Sequence, residues 1–256
     1  MKKLFLYAFL CCGYFGYFQL SEVDSGVYKW NELPIKEGNQ RMGRKILEGS
    51  EPHFSYLEIH ATTQEKGAVP SKPHTQEDKE ELIIVKEGLL KITIDGESKI
   101  LTAGSIAVIP PLAEQSMENV GDGPVTYYVM IYTSRKPMDM DRSNLAGRHL
   151  LIHSNDLAFK ENQRGGRIDY FDRPTAMCEN FEMHVTQLNE KGPSHEPHSH
   201  FHSEIIVVIE GNVEMTIDGK SYLGTEGDLF LMKSNEVHGL SNVGDQPCRY
   251  YAFGWQ

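Results

Sequence analysis

The chain has 256 residues, enough for one large domain or two of ordinary size. Its 36 Asp and Glu against 25 Lys and Arg leave a net charge of −11, which argues against a nucleic-acid partner because phosphates need a basic face. Small molecules are the expected partners.

Lys2 and Lys3 precede an apolar, aromatic-rich run from Leu4 to Phe18. This is the basic start and hydrophobic region of a secretory signal, short for a membrane span. The expectation is an exported protein, periplasmic or extracellular, with residues 1–20 as signal peptide or N-terminal anchor. A membrane contact follows only if that segment is retained or lipidated, with Cys11 and Cys12 as the candidate acceptors. Removal through Leu20 takes both lysines away and moves the net charge to −13. Cys178 and Cys248 then remain; an oxidising compartment allows them to pair, although two isolated cysteines in β-rich surroundings read better as buried free thiols.

The next feature in chain order is a duplication. Residues 82–130 superpose without a gap on 205–253, pairing Thr93-Ile94-Asp95-Gly96 with Thr216-Ile217-Asp218-Gly219, and Asn119-Val120-Gly121-Asp122 with Asn242-Val243-Gly244-Asp245. Upstream, Asn39 to Arg44 matches Asn162 to Arg167, and Glu58-Ile59-His60 matches Glu182-Met183-His184 one residue out of step. The expected units are 27–133 and 150–256, joined by a charged linker at 134–149 that contains Pro137 and has room for a helical turn.

Each unit reads as β. Leu82 to Val85 and Ile205 to Ile209 are short apolar, β-branched runs, and Leu89 to Ile94 and Asn212 to Ile217 alternate before Asp-Gly turns. Asp-Gly signals a type I′ hairpin, which needs positive φ at both central residues. Ile106 to Ile109, Leu229 to Met232, Tyr127 to Tyr132 and Tyr250 to Phe253 supply further strands. Many short strands with regular turns imply an all-β sandwich or jelly-roll barrel in each unit.

The chemistry concentrates between Gly192 and Glu204, where His195, His198, His200 and His202 crowd together with Glu196 and Glu204. His198 and His200 alternate as same-face residues of a strand would, Glu204 follows at short range, and His238 is available as a fourth ligand. Imidazole plus carboxylate is the donor mixture that first-row divalent metals accept. The first unit has His74, Gln76, Glu81 and Gln115 at the corresponding places, with Glu80 as an alternative carboxylate. Amide oxygens are weak ligands for transition metals, so a single metal per chain, in the second unit, is expected.

Taken together, Gly192, His198, His200, Glu204, Gly211, Gly227, His238 and Asn242 resemble the two paired motifs of the cupin superfamily. The resemblance implies two tandem cupin jelly-roll barrels, with one divalent transition metal (Mn, Fe, Ni, Co or Zn) held by His198, His200, Glu204 and His238. Lys233 and Asn235 depart from it, standing where proline and glycine are usual. The ureidoglycine aminohydrolases also confine their metal to the second of two barrels, but their ligand order differs from the His-x-His-x-x-x-Glu found here.

The superfamily includes isomerases, lyases, decarboxylases and dioxygenases, so the fold does not choose the reaction. The leading expectation is an enzyme acting on a sugar acid or keto acid by enolisation, isomerisation or elimination. A metal-dependent dioxygenase and a non-catalytic binding or storage module are the alternatives, and a homodimer is compatible with each. No catalytic acid or base is assigned. Recurrence of Glu182 and His184 as Glu58 and His60 favours a scaffold role for that pair. Arg164 and Arg167 are read as structural arginines of a turn, with the capacity to bind a substrate carboxylate bidentately.

Overall fold

The computed structural model describes residues 20–256; the rest of the expected signal segment, Cys11 and Cys12 included, lies outside the described residues. The first repeat supplies β1 (Gly26–Tyr28), β2 (Ile35–Gly38), β3 (Arg41–Gly49), β4 (Phe54–Gln64), β5 (His74–Thr75), β6 (Glu80–Glu87), β7 (Leu90–Ile94), β8 (Glu97–Leu101), β9 (Ile106–Ile109), β10 (Glu114–Asn119) and β11 (Val125–Ser134). A short helix, α1 (Met140–Leu145), sits in the linker, its first turn capped by the Asp139 carboxylate accepting from the Arg142 N–H. The second repeat supplies β12 (Leu150–Ile152), β13 (Phe159–Asn162), β14 (Gly165–Arg173), β15 (Phe181–Leu188), β16 (Gly192–Pro193), β17 (Ser203–Glu210), β18 (Val213–Ile217), β19 (Lys220–Gly224), β20 (Leu229–Met232), β21 (His238–Asn242) and β22 (Cys248–Trp255).

The Asp-Gly hairpins form as expected. Asp95 and Gly96 have φ of 49° and 84°, and Asp218 and Gly219 have 45° and 77°, so both central residues take the left-handed conformation of a type I′ turn. The hairpins join β7 to β8 and β18 to β19 and set their registers, Thr93 facing Ser98 and Thr216 facing Ser221.

Each barrel pairs a seven-stranded sheet with a four-stranded one. The first combines β12-β9-β6-β11-β4-β3-β2 with β5-β10-β7-β8; the second combines β1-β20-β17-β22-β15-β14-β13 with β16-β21-β18-β19. The architecture is all-β, two tandem jelly-roll barrels. One strand of each repeat crosses over: Gly26–Tyr28 pairs with Leu229–Leu231 of the second barrel, and Leu150–Ile152 pairs with Ile106–Val108 of the first. The units 27–133 and 150–256 therefore each begin with residues that complete the other barrel's sheet. Comparison of the repeats is blind to this exchange, because β1 and β12 occupy equivalent places in both.

The crossing segments are tied down by side chains of the barrel they join. Asp228 accepts from the Trp30 N–H at 2.8 Å and pairs with Lys29 at 3.0 Å, while the Ser105 hydroxyl accepts from the Ser154 N–H at 3.0 Å. A buried N–H without such a partner would cost about 1–3 kcal/mol.

The central strands of the seven-stranded sheets are buried on both faces, which explains their unbroken apolar runs. Along β6, Leu82 and Ile84 join a core shared by the two repeats, while Ile83 and Val85 fill the first barrel. Along β17, Ile205 and Val207 join the shared core, and Ile206 and Val208 fill the second barrel. The shared core holds Phe54, Tyr132, Phe181 and Trp255, with Phe54 stacked on Trp255 at 5.2 Å and on Tyr132 at 4.7 Å between ring centroids. Cys178 lies in this shared core and Cys248 inside the second barrel, both free and buried, so the thiol reading holds and no disulfide joins them.

Two carboxylates are buried where the barrels meet. Glu80 accepts from the Tyr132 hydroxyl at 2.9 Å and the Met177 N–H at 3.0 Å; Glu51 accepts from the Ser203 hydroxyl at 2.7 Å and the Trp255 indole N–H at 3.2 Å. Both come from the first repeat and reach donors of the second. Burial pushes both carboxyls up, and Glu80 reaches about 7 because its hydrogen bonds offset only part of the desolvation.

Folded Glu80 thus holds its proton to about 7, against 4.5 ordinarily. The folded state binds the extra proton, so the stability this group contributes is fully present below its unfolded value and is lost as pH rises through that window. Thermal melts of Glu80→Gln should lose a downward slope, on the order of 3 kcal/mol in total, that the native protein shows between about pH 5 and about pH 7. An unchanged slope in the variant would remove Glu80 as its source.

Candidate metal centre

The strand alternation that buries Leu82 and Ile205 in the shared core also sorts the carboxylates. Glu204, one residue after Ser203 at the start of β17, points into the second barrel, as Glu81 points into the first; Glu80 faces the shared core on its hydrogen bonds to Tyr132 and Met177. Glu80 is therefore not a substitute ligand. In the second barrel, His238 opens β21 and pairs with His198 through two backbone hydrogen bonds of 2.8 and 2.9 Å. His198 and His200 do not share a continuous strand: His198 makes this isolated bridge, and His200 follows in a loop whose carbonyl accepts from the Asn235 N–H at 2.8 Å. Asn235 has φ of 67°, as does Leu112 at 64° in the equivalent turn of the first barrel, so the turn survives the departure from glycine.

The three imidazoles converge, each offering a ligand atom within 4.8 Å of the others. His200 and His238 hold their Nδ1 atoms against the carbonyls of His202 (3.1 Å) and Glu236 (2.9 Å), which assigns the hydrogen to Nδ1 and turns Nε2 inward. Both Nε2 atoms lie 3.2 Å from the same Glu204 Oε2. Two bare imidazole nitrogens and a carboxylate oxygen are all acceptors, so a cation belongs among them, and the donor set fits a divalent transition metal.

The electrostatics agree with that fit. Burial raises the Glu204 carboxyl, but His200 and His238, when they carry a proton on Nε2 in place of a metal, outweigh it through their hydrogen bonds and charge and hold the group at about 2. Burial lowers His198, and the neighbouring His195, His238 and His200 lower it further, so crowding opposes protonation of this imidazole. His200 is raised by its hydrogen bond to Glu204.

The first barrel repeats the framework without the chemistry. His74 faces Gln115 in register, as His198 faces His238, yet Gln76 donates its amide to Glu81 at 3.0 Å across the place where imidazoles would converge. Gln115 is 1% exposed and neither of its amide atoms has a hydrogen-bond partner among the described residues.

A cavity of about 370 Å³ opens over the imidazole cluster, and its wall includes Arg167, His184, His195, Met215, Leu240 and Tyr250. His195 stands beside His198 at 4.4 Å between rings, whereas His202 contributes its carbonyl to His200 and does not line the cavity. The structure separates the two arginines. Arg164 donates to the Pro193 and Ser194 carbonyls and closes a turn, as Arg41 does with Val69 in the first barrel, while Arg167 lines the cavity. His184 also lines it, against the scaffold role that its recurrence favoured. Tyr222 packs beside Gly26 and Arg249 lies 3.9 Å from Glu210, and neither lines the cavity.

Fold and site together define a two-barrel β protein with an imidazole cluster in one barrel whose donor set could hold a metal. A model described as "Cupin domain" matches residues 61–132 and 184–254, more than half of the chain, and the protein belongs to this family. Among solved structures it is similar to AerE from Microcystis aeruginosa, with a TM-score of 0.67 and 14% identity over 88% of this chain and 97% of that one. It is also similar to the formate complex of oxalate decarboxylase from Lactobacillus farciminis, with a TM-score of 0.70 and 14% identity over 91% and 87% of the two chains. Oxalate decarboxylase from Bacillus subtilis gives a TM-score of 0.68 and 13% identity over 92% and 77%. At these identities the likeness is one of fold. No curated protein sequence matches the chain.

Two substitutions test the asymmetry between the barrels. His238→Ala should take bound metal from about one per chain to near zero, whereas Gln76→His with Gln115→His should raise it toward about two, because His74 and Glu81 already stand in register. Elemental analysis of the purified variants checks both; a double variant that still binds one metal would mean that the first barrel lacks more than its imidazoles.

Proposed function

We propose that the second barrel is the active site of a metal-dependent enzyme acting on a small oxygen-rich acid, a sugar acid or keto acid, by enolisation, isomerisation or elimination. The observation that carries this reading is the position of the four-ligand cluster at a cavity whose wall also holds a guanidinium. His198, His200, Glu204 and His238 would hold the ion. When bound, a divalent metal supplies Lewis acidity that stabilises negative charge developing on a substrate oxygen.

The chain's own residues do the remaining work. Arg167 offers a cation for a carboxylate, which orients the acid relative to the cluster. Met215, Leu240 and Tyr250 form an apolar part of the wall that excludes water and strengthens those charge contacts. A cavity of about 370 Å³ suits a small metabolite rather than a polymer. The solved structures named for oxalate decarboxylase support the reading to the extent that their named substrate is a small acid.

The test is product formation from a panel of small 2-oxo and hydroxy acids, followed by NMR, with the metal content of each sample measured. His200→Ala should lose metal and turnover together. Turnover that survives in metal-free protein sinks the proposal; oxygen uptake matched to product would move the assignment to a dioxygenase, and binding without product to a storage or capture module.

A further inference from the structure

The duplication supplies an internal control for the cavity wall. In strand register Arg167 faces Thr186 where the first barrel has Gly43 facing Thr62, so the match of Asn39–Arg44 to Asn162–Arg167 shifts by one residue. Arg44 faces Ala61, as Ile168 faces Val185, and lays its guanidinium over the Trp30 ring at 4.7 Å on the shared-core side. His60, the counterpart of His184, is tied by Nδ1 to the Glu58 carboxylate at 3.0 Å, and the Tyr56 hydroxyl donates to that same carboxylate at 2.5 Å. The barrel that lacks the imidazole cluster thus has a glycine in place of the guanidinium and a histidine that is already engaged.

The second barrel adds the guanidinium and lacks the histidine's tie. Arg167 spends Nε on Asp169, and its two Nη atoms make no hydrogen bond among the described residues. Glu182 makes none to His184, whose Nδ1 is sealed from solvent without a partner among the described residues. No hydrogen bond joins His184 to any of the four ligands, and the ring lines the cavity.

A sealed, partnerless Nδ1 decides the tautomer. A hydrogen there would be a buried donor with no acceptor, a rarer and costlier state than an unpaired lone pair, so the hydrogen belongs on Nε2. A second proton is opposed by burial and by the Arg167 guanidinium, which together pull the imidazole down to about 4; Glu204 on β17 and Asp169 on β14 push the other way without prevailing. His184 is therefore a neutral donor at ordinary pH, unlike a general base.

We propose that the Arg167 guanidinium and the His184 Nε2–H form a carboxylate-binding subsite beside the metal cluster, which selects small organic acids over their neutral analogues. The subsite rests on the metal-enzyme reading for its purpose, but its binding chemistry is independent of turnover. Arg167 supplies charge and two free Nη donors; His184 supplies one fixed donor that adds no second positive charge. No covalent step is involved.

The probe is pyruvate, titrated into protein carrying its native metal, with pyruvamide as the neutral control. Binding should favour pyruvate, weaken about tenfold in Arg167→Gln and several-fold in His184→Ala, and recover in His184→Gln, whose amide can still donate. A long-range ¹H–¹⁵N spectrum of the native protein should show His184 with a bare Nδ1 and a protonated Nε2, a readout that needs neither variant nor substrate. The subsite is overturned if native protein fails to bind pyruvate at millimolar concentration, if pyruvamide binds equally well, if the Arg167 and His184 variants bind pyruvate normally, or if Nδ1 carries the proton. His200→Ala separates the two proposals. Arg167-dependent pyruvate binding that persists there, with turnover also intact, would reject the metal enzyme and keep the subsite, while metal-dependent turnover with Arg167-independent binding would do the reverse.

Discussion

The structure depends on strands buried on both faces. Because successive side chains of β6 and β17 alternate between the shared core and a barrel interior, one register assigns every residue of these strands to an environment. A one-residue slip would carry Glu204 out of the metal centre and into the apolar core between barrels. Fixing the fold and placing the ligand carboxylate are therefore the same act, and the stacked Phe54, Tyr132 and Trp255 that hold the barrels together also hold that register.

The shared core explains why the two repeats stay one unit. Each contributes a strand to the other's sheet and a seven-stranded face to the common interior, so neither barrel closes without its partner. Polar groups at this interface are matched across the pair: Glu80 and Glu51 from the first repeat meet Met177, Ser203 and Trp255 from the second. An unpaired buried carboxylate would be costly, so these contacts specify how the barrels seat as well as satisfying hydrogen bonds.

With the scaffold held in common, the barrels differ in what fills their interiors. In one, three imidazoles and a carboxylate converge and the wall keeps a guanidinium and a neutral histidine facing open space. In the other, an amide donates to the carboxylate, Gly43 stands in the place of the guanidinium and the histidine is tied to Glu58. The repeated histidine thus does opposite things, according to whether a nearby group captures it.

Much of this was legible before any coordinates. The duplication, the Asp-Gly hairpins, the apolar runs and the His-x-His-x-x-x-Glu spacing are local or periodic signals, and local chemistry is what a sequence carries directly. The gapless offset also chose Glu81 over Glu80, and strand alternation supplied the reason. By contrast, the exchange of β1 and β12, the release of Arg167 and His184 into the cavity, and the burial of Glu51 were decided by tertiary structure alone. Each depends on what comes to lie beside the residue or across the sheet from it: Thr186 opposite Arg167, Glu58 beside His60, Ser203 beside Glu51. The sequence by itself determined that one repeat carries the complete His, His, Glu, His set and that the other lacks two of its imidazoles; only the packed chain determined that His60 is tied down while His184 faces the cavity, because hydrogen-bond capture is a property of neighbours in space.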